Sequence, residues 1–343
     1  MTNSFHKSDK QVEIDPKVET LLNLYARVLR HINAGNGMIR AYTDLLSSYR
    51  RLKQDADVII GVYGCPKMGK STLLNTILGE AILPVGVIPT TGSVIDIKRR
   101  EDKSDYELIC TVGQSEKIPT LIHLPSVKDV RDYLTKHGSQ QDPFDSIEIS
   151  GPFPHAMSFV KSNYILRDTP GFERLSEGQV SSERLEEDTR KAIASLDEPD
   201  VYLFCVSAES PGCSGDLAMY DKYFRSRFCV HVMTHVEDIP DKSLIKLKND
   251  FNQSFRLLPS DFDPKPLVCT GIRNRAESAG DSFLDIGRDA LVEAVSKYLS
   301  PEDILTRILA ICHFILAYPE KSGASSVPKV HLSALETHII NQF

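Results

Sequence analysis

Residues 57–79 read DVIIGVYGCPKMGKSTLLNTILG, and this stretch decides the fold. Val58, Ile59, Ile60, Val62 and Tyr63 form a short β-branched and aromatic run, the composition of a strand buried in a parallel sheet. Gly64, Cys65, Pro66, Lys67, Met68, Gly69, Lys70 and Ser71 then fit G-x-x-x-x-G-K-S/T, and Thr72 opens an apolar helix that stops at Gly79. Strand, glycine loop and helix in that order are the context a phosphate-binding loop requires. The loop's backbone N–H groups and the positive end of the helix would cradle a β-phosphate. Lys70 would reach the β- and γ-phosphates, and the Ser71 hydroxyl would bind Mg²⁺. The competing reading, a plain glycine turn, is opposed by the strand and helix on its flanks.

The 343 residues have room for one large α/β domain and a smaller appendage. A net charge of −7 gives no electrostatic case for nucleic acid as a partner. Seven cysteines, at 65, 110, 205, 213, 229, 269 and 312, form no C-x-x-C pair, and most lie in apolar runs. They read as buried free thiols in a reducing compartment and not as metal ligands. The polar start lacks an apolar signal segment, and Thr2 excludes the glycine that myristoylation needs. The longest apolar run, 308–318, contains His313 and is too short for a membrane span. The expected location is cytoplasmic.

Along the chain, residues 1–14 are expected to be disordered, and 15–54 to form two amphipathic helices separated by a break at 33–37. A capping box at Ser300 opens a further helix over 300–318, and 319–343 is an irregular tail. The helices from the two ends either bundle together or cover an exposed sheet face. Between them, 55–299 alternates strand-like runs (94–97, 107–111, 147–149, 164–166, 201–206, 229–233, 266–269) with helical runs (127–137, 179–195, 215–224, 243–256, 286–299). That alternation predicts an α/β, doubly wound, mostly parallel sheet.

Three further sites carry chemistry. After the loop, Pro89-Thr90-Thr91 offers a threonine that could ligate Mg²⁺ and sense a γ-phosphate, Thr91 being the first choice. Asp168-Thr169-Pro170-Gly171 places D-x-x-G at a strand end; Asp168 would hold Mg²⁺ through water, and the Gly171 N–H would meet the γ-phosphate, an Asx-type turn being the alternative. At the place of a base-reading N/T-K-x-D stands Thr234-His235-Val236-Glu237-Asp238. Thr234 fits, His235 replaces the usual lysine, and Glu237 replaces the usual aspartate, with Asp238 one position beyond. Cys269-Thr270-Gly271 follows the last strand, where a loop backing the base would sit. Cys65 is loop filler or, beside positive groups, a thiol of lowered pKa. Metalloprotease spacing and a nucleophile elbow are both absent from the sequence.

Taken together, these residues resemble the dynamin superfamily, most closely bacterial dynamin-like GTPases. The run from Gly64 through Thr91 is its most specific part, and the long interval from Thr91 to Asp168 is similar to that family's extended sheet. The resemblance implies a P-loop GTPase domain with a sheet-extending insertion, flanked by a helical bundle from both chain ends. It implies Mg²⁺-dependent GTP hydrolysis, stimulated when two such domains dimerise, and membrane action through a stalk. The partner would be a second copy, a related GTPase or a stalk-bearing protein at the membrane periphery. Lys67 stands where relatives place a cis arginine finger, which implies a transition-state charge there; a solvated loop lysine is the other reading. The altered base loop leaves a slow nucleotide switch or a pseudo-GTPase scaffold as alternatives.

Overall fold

The computed structural model describes residues 36–53, 56–85, 92–100, 103–112, 119–137, 144–153, 164–172, 183–224, 227, 229–255, 267–271, 286–300, 304–305 and 307–308. Strand β1 (Val58–Tyr63) lies near the middle of a nine-stranded sheet. The others are β2 (Val94–Arg99), β3 (Tyr106–Thr111), β4 (Thr120–Leu124), β5 (Ser146–Gly151), β6 (Tyr164–Asp168), β7 (Val201–Ser207), β8 (Cys229–Thr234) and β9 (Leu267–Cys269). Their order is β4-β3-β5-β2-β6-β1-β7-β8-β9. β6, β1, β7, β8 and β9 run parallel, whereas β2 turns antiparallel to β6 and leads into the block of β5, β3 and β4. The expected α/β class, mostly parallel sheet and inserted extension are all present.

Among the described residues, seven α-helices with defined bounds accompany the strands: α1 (Asn36–Lys53), α2 (Lys70–Leu78), α3 (Val127–His137), α4 (Glu183–Ala194), α5 (Ser214–Met219), α6 (Asp241–Ser254) and α7 (Arg288–Tyr298). A π-helical turn, Tyr220–Phe224, continues α5. The break expected at 33–37 does not reach Asn36 and Gly37, which are helical. A glycine in a helix costs only about 1 kcal/mol relative to alanine, less than the burial of the stripe that follows it returns. β4 has no counterpart in the sequence reading. Ile122 and Leu124 are its partly buried positions and Leu121 and His123 its exposed ones, but the apolar Leu121 on the exposed face hides that alternation in the sequence, and the strand is held by pairing with β3.

The register of the parallel strands puts their C-terminal ends together, Val62 beside Asp168, Tyr63 beside Phe204, and Ser207 beside Thr234. Loops that bind ligands in open α/β sheets leave from this edge. The central strands are held by burial: Val58, Ile60, Val62 and Tyr63 have at most 1% of their surface exposed. Each such side chain is worth about 1.5–3 kcal/mol. Below the ligand edge lies an aromatic cluster in which Tyr63, Phe172, Tyr202, Phe204, Tyr220 and Phe224 meet at ring separations from 5.0 to 6.5 Å. Burial of Tyr63 pushes its phenol well above the usual range.

Two polar clusters tie the layers together. Arg167 on β6 makes a bidentate pair with Asp96 on β2, both bonds 2.7 Å, and reaches Glu198 at 2.6 Å. That pair fastens the antiparallel extension to the parallel half. At the opposite edge from the ligand loops, Asp200 accepts hydrogen bonds from Ser48 (2.8 Å) and Arg51 (3.2 Å) of α1 and from the Ile59 N–H (2.9 Å). The stripe Leu45, Leu46, Tyr49 and Leu52 of α1 joins the core that also holds Ile304 and Ile308. Burial raises the Asp200 carboxyl, and its three donors oppose that shift.

Asp200→Ala should leave three donors short of an acceptor and cost about 1–3 kcal/mol of unfolding free energy. Arg51→Ala, at a side chain 36% exposed, should cost under about 1 kcal/mol. Urea denaturation of both variants checks the ranking.

Candidate functional site

The loop between β1 and α2 is shaped by where its carbonyls go. Gly64 O accepts from Lys70 Nζ at 3.2 Å and from the Phe172 N–H at 3.2 Å, and Cys65 O accepts from Lys70 Nζ at 3.1 Å. Met68 O accepts from Thr234 Oγ1 at 3.0 Å, and Gly69 O from the Leu73 N–H at 2.9 Å. A trans peptide holds its C=O and the next N–H antiparallel. Carbonyls drawn into the protein therefore turn the following N–H groups of Cys65, Gly69 and Lys70 the other way, as an anion cradle needs. Two residues adopt left-handed backbone to close the turn: Gly69 at φ 76° and, less commonly for a side-chain-bearing residue, Lys67 at φ 65°. Lys67 is exposed at the rim.

Lys70 is buried, and burial pushes its pKa down while Asp168 opposes that. Ser71 Oγ donates to Asp168 Oδ2 at 2.9 Å. The sequence placed these two residues at one Mg²⁺, and the structure brings their oxygens together across 97 positions of chain. A hydroxyl and a carboxylate are hard oxygen donors suited to Mg²⁺, which takes its other ligands from phosphate and water. Among the described residues no cluster of three or more His, Cys, Asp or Glu could hold a metal by itself.

The D-x-x-G segment is pressed against the loop. Thr169 Oγ1 donates to Val62 O at 2.6 Å, and a Cβ added at Gly171 would sit 2.6 Å from both Pro66 N and Pro66 Cγ. Only glycine allows that approach. Thr90 and Thr91 lie outside the described residues; the described chain before and after them is hydrogen-bonded. Asn75 accepts from Ile82 N and Leu83 N (3.1 and 2.9 Å) and donates to Leu83 O (2.9 Å) before them. Lys191 of α4 donates to Gly92 O at 3.2 Å after them.

On the base side, Thr234 is buried and its hydroxyl serves the phosphate loop through Met68 O, so the first residue of this motif braces the loop. His235, also left-handed at φ 59°, has Nδ1 at 3.3 Å from Ser207 Oγ and 3.4 Å from Thr234 Oγ1. Glu237 is half-buried and Asp238 exposed, so of the two acids Glu237 is the inward one. Thr270, fully buried, hydrogen-bonds through its N–H to Met233 O at 2.8 Å and sets the Cys269–Gly271 loop beside Glu237.

Cys65 is 1% exposed, and its Sγ donates to Asp216 Oδ1 of α5 at 3.1 Å, so a carboxylate is among its partners. Sequence reasoning missed Asp216, because a polar residue in an ordinary helical run carries no sign of what it faces. It also missed the link through which the π-helical turn stacks Tyr223 on Phe172 at 5.8 Å. Burial pushes the neighbouring Cys205 thiol up to about 12.

Fold and loop together define a P-loop α/β domain. Residues 60–229 match the sequence model of the dynamin family. Over that stretch the chain is similar to dynamin-superfamily GTPase domains. An uncharacterised protein in the xynA 3′ region of Caldicellulosiruptor sp. (strain Rt8B.4) is 31% identical over 156 residues, 45% of this chain and 33% of that protein. GTPase Der of Vibrio cholerae serotype O1 is 43% identical over 68 residues, 20% of this chain and 14% of Der. A chain from an oligomerised bacterial dynamin pair superposes with a TM-score of 0.53 at 16% identity, over 88% of this chain and 46% of that one. This chain therefore spans about a third of the first relative and under half of the bacterial dynamin.

Thr234→Val keeps the side-chain shape and removes the hydroxyl bond to Met68 O. It should cost about 1–2 kcal/mol of stability and speed amide exchange selectively over residues 65–70. Exchange measured by mass spectrometry on both proteins tests this.

Proposed function

We propose that this chain binds GTP with Mg²⁺ and hydrolyses it to GDP and phosphate, with turnover raised when two copies meet. The observation that carries the reading is the joint closure of the loop by Lys70, the Ser71–Asp168 pair and the contact of Gly171 on Pro66. These features come from separate parts of the sequence and meet where a β–γ phosphate pair would lie. Ser71 and Asp168 would hold Mg²⁺, which supplies charge neutralisation on the β- and γ-phosphate oxygens when bound. The buried Lys70 ammonium has little solvent to give up and gains a phosphate partner on binding. The Gly171 N–H is assigned to orient the γ-phosphate, and Thr91 is assigned a further Mg²⁺ contact and the γ-phosphate sensor.

Lys67, held at the rim by its left-handed backbone, is assigned the positive charge that offsets charge developing in the transition state. Guanine selection is assigned to Glu237 with Thr270 behind it. Named relatives support the chemistry: Der is a GTPase, and the bacterial dynamin pair is described as sensing and tethering membranes. We assign this chain a peripheral membrane role through a stalk-bearing partner. Among the described residues no helix is long and apolar enough to cross a membrane.

Phosphate release from GTP and from ATP, measured across a protein-concentration series, tests the proposal. Specific activity toward GTP should rise with concentration, ATP should give little, and Lys70→Ala should abolish turnover. Lys67→Ala should lower turnover about 10²-fold, the scale of losing one transition-state donor. Slow, concentration-independent turnover with tight GTP binding would make the chain a nucleotide switch instead, and unchanged turnover in Lys67→Ala would remove that residue's role.

A further inference from the structure

Glu237 stands where guanine-binding loops of this kind use an aspartate, so its carboxylate reaches one methylene further. Something must accommodate that extra length if the acid is to meet the same base edge. Gly271 is buried at the start of the segment after β9 and paired through its backbone with Ile286 (3.4 and 3.2 Å). A Cβ placed on it would lie 2.6 Å from Glu237 Oε2 and 3.0 Å from Glu237 N. Its φ lies outside the left-handed region, so conformation alone does not demand glycine here. What glycine supplies is space, taken up first by the Glu237 carboxylate and then by the Glu237 backbone N and Ile286 Cδ1 at 3.0 and 3.3 Å.

We infer that Gly271 is a specificity-determining residue: by lacking a Cβ it gives the longer acid Glu237 the room to lie against the Cys269–Gly271 loop and present its carboxylate to the guanine edge. Glutamate at 237 and glycine at 271 act as one unit. Guanine offers two donors, N1–H and the 2-amino group, that a carboxylate accepts bidentately. Hypoxanthine offers only N1–H, and adenine presents an acceptor at N1. A carboxylate displaced by a Cβ loses the 2-amino contact first, so the preference for guanine over hypoxanthine reports its position. The inference rests on the guanine-nucleotide reading above and adds the residue that makes it work with this sequence.

The test is competition binding on the full chain with Mg²⁺, using a fluorescent GDP analogue displaced by GDP, IDP or ADP. Wild type should prefer GDP over IDP by roughly tenfold, the worth of one well-made hydrogen bond to a charged group. Gly271→Ala should bring that ratio to about one, and so should Glu237→Asp, whose acid falls short. The double variant Glu237→Asp/Gly271→Ala should recover most of the wild-type ratio, because the shorter acid then meets a filled loop. A loss of fold would weaken all nucleotides equally and could not produce recovery in the double variant. A wild-type ratio retained in Gly271→Ala, or a double variant no better than either single one, would overturn the inference while leaving nucleotide binding intact. A wild type that binds no nucleotide would overturn the functional reading and this inference with it.

Discussion

The structure depends on one constraint: a short loop at the end of β1 must turn its amides toward an anion while its carbonyls find partners inside the protein. An amide left without a partner in a buried place costs roughly as much as a lost hydrogen bond. Four carbonyls of this loop are accounted for, by Lys70 and Phe172 at Gly64, by Lys70 at Cys65, by Thr234 at Met68 and by Leu73 at Gly69. Those partners come from α2, from the segment after β6 and from the end of β8. The sheet order is what delivers them, since β6 and β7 flank β1 and β8 follows β7. A loop of this shape is thus a property of the whole parallel half.

From this follows the connection between phosphate site and body. Phe172 donates to the loop through its N–H and enters the aromatic cluster through its ring, where it meets Tyr63, Tyr223 and Phe224. Asp216, one turn before the π-helical segment, accepts the hydrogen bond of the Cys65 thiol. The α5–π segment consequently touches both the phosphate loop and the residue after Gly171. Short π-helical turns interrupt regular helices at a cost and recur where function needs the altered side-chain placement. At the far edge, Asp200 binds α1 to β1, so the same central strand carries the loop at one end and the helical appendage at the other.

Much of this was legible in residues 57–79, because strand, glycine loop and helix are each local and each has a strong compositional sign. Seven of the other eight strands also announced themselves as apolar runs. β4 did not, since the exposed face of this edge strand carries the apolar Leu121 and so hides the alternation of Ile122 and Leu124. The Ser71–Asp168 pair was readable as two motifs, but their 2.9 Å approach comes only from the β1–β6 register. Thr234 was assigned to the base and proves also to brace the phosphate loop. Asp216, Asp200 and the Arg167–Asp96 pair carry no motif at all; their partners lie 71 to 152 positions away, and only the folded chain brings them together. The place of Gly271 behind Glu237 was likewise invisible, because the sequence shows a departure at one position and its compensation 34 residues later as unrelated events.

The central claim is that three separated segments close on one nucleotide. Hydrogen–deuterium exchange of the full chain, with and without GDP and Mg²⁺, tests it most directly. Protection should appear together in residues 64–72, 168–171 and 234–238 with 270–271, and the Asp200 edge of β1 should change little. Protection confined to one of these segments, or none at saturating GDP, would contradict it.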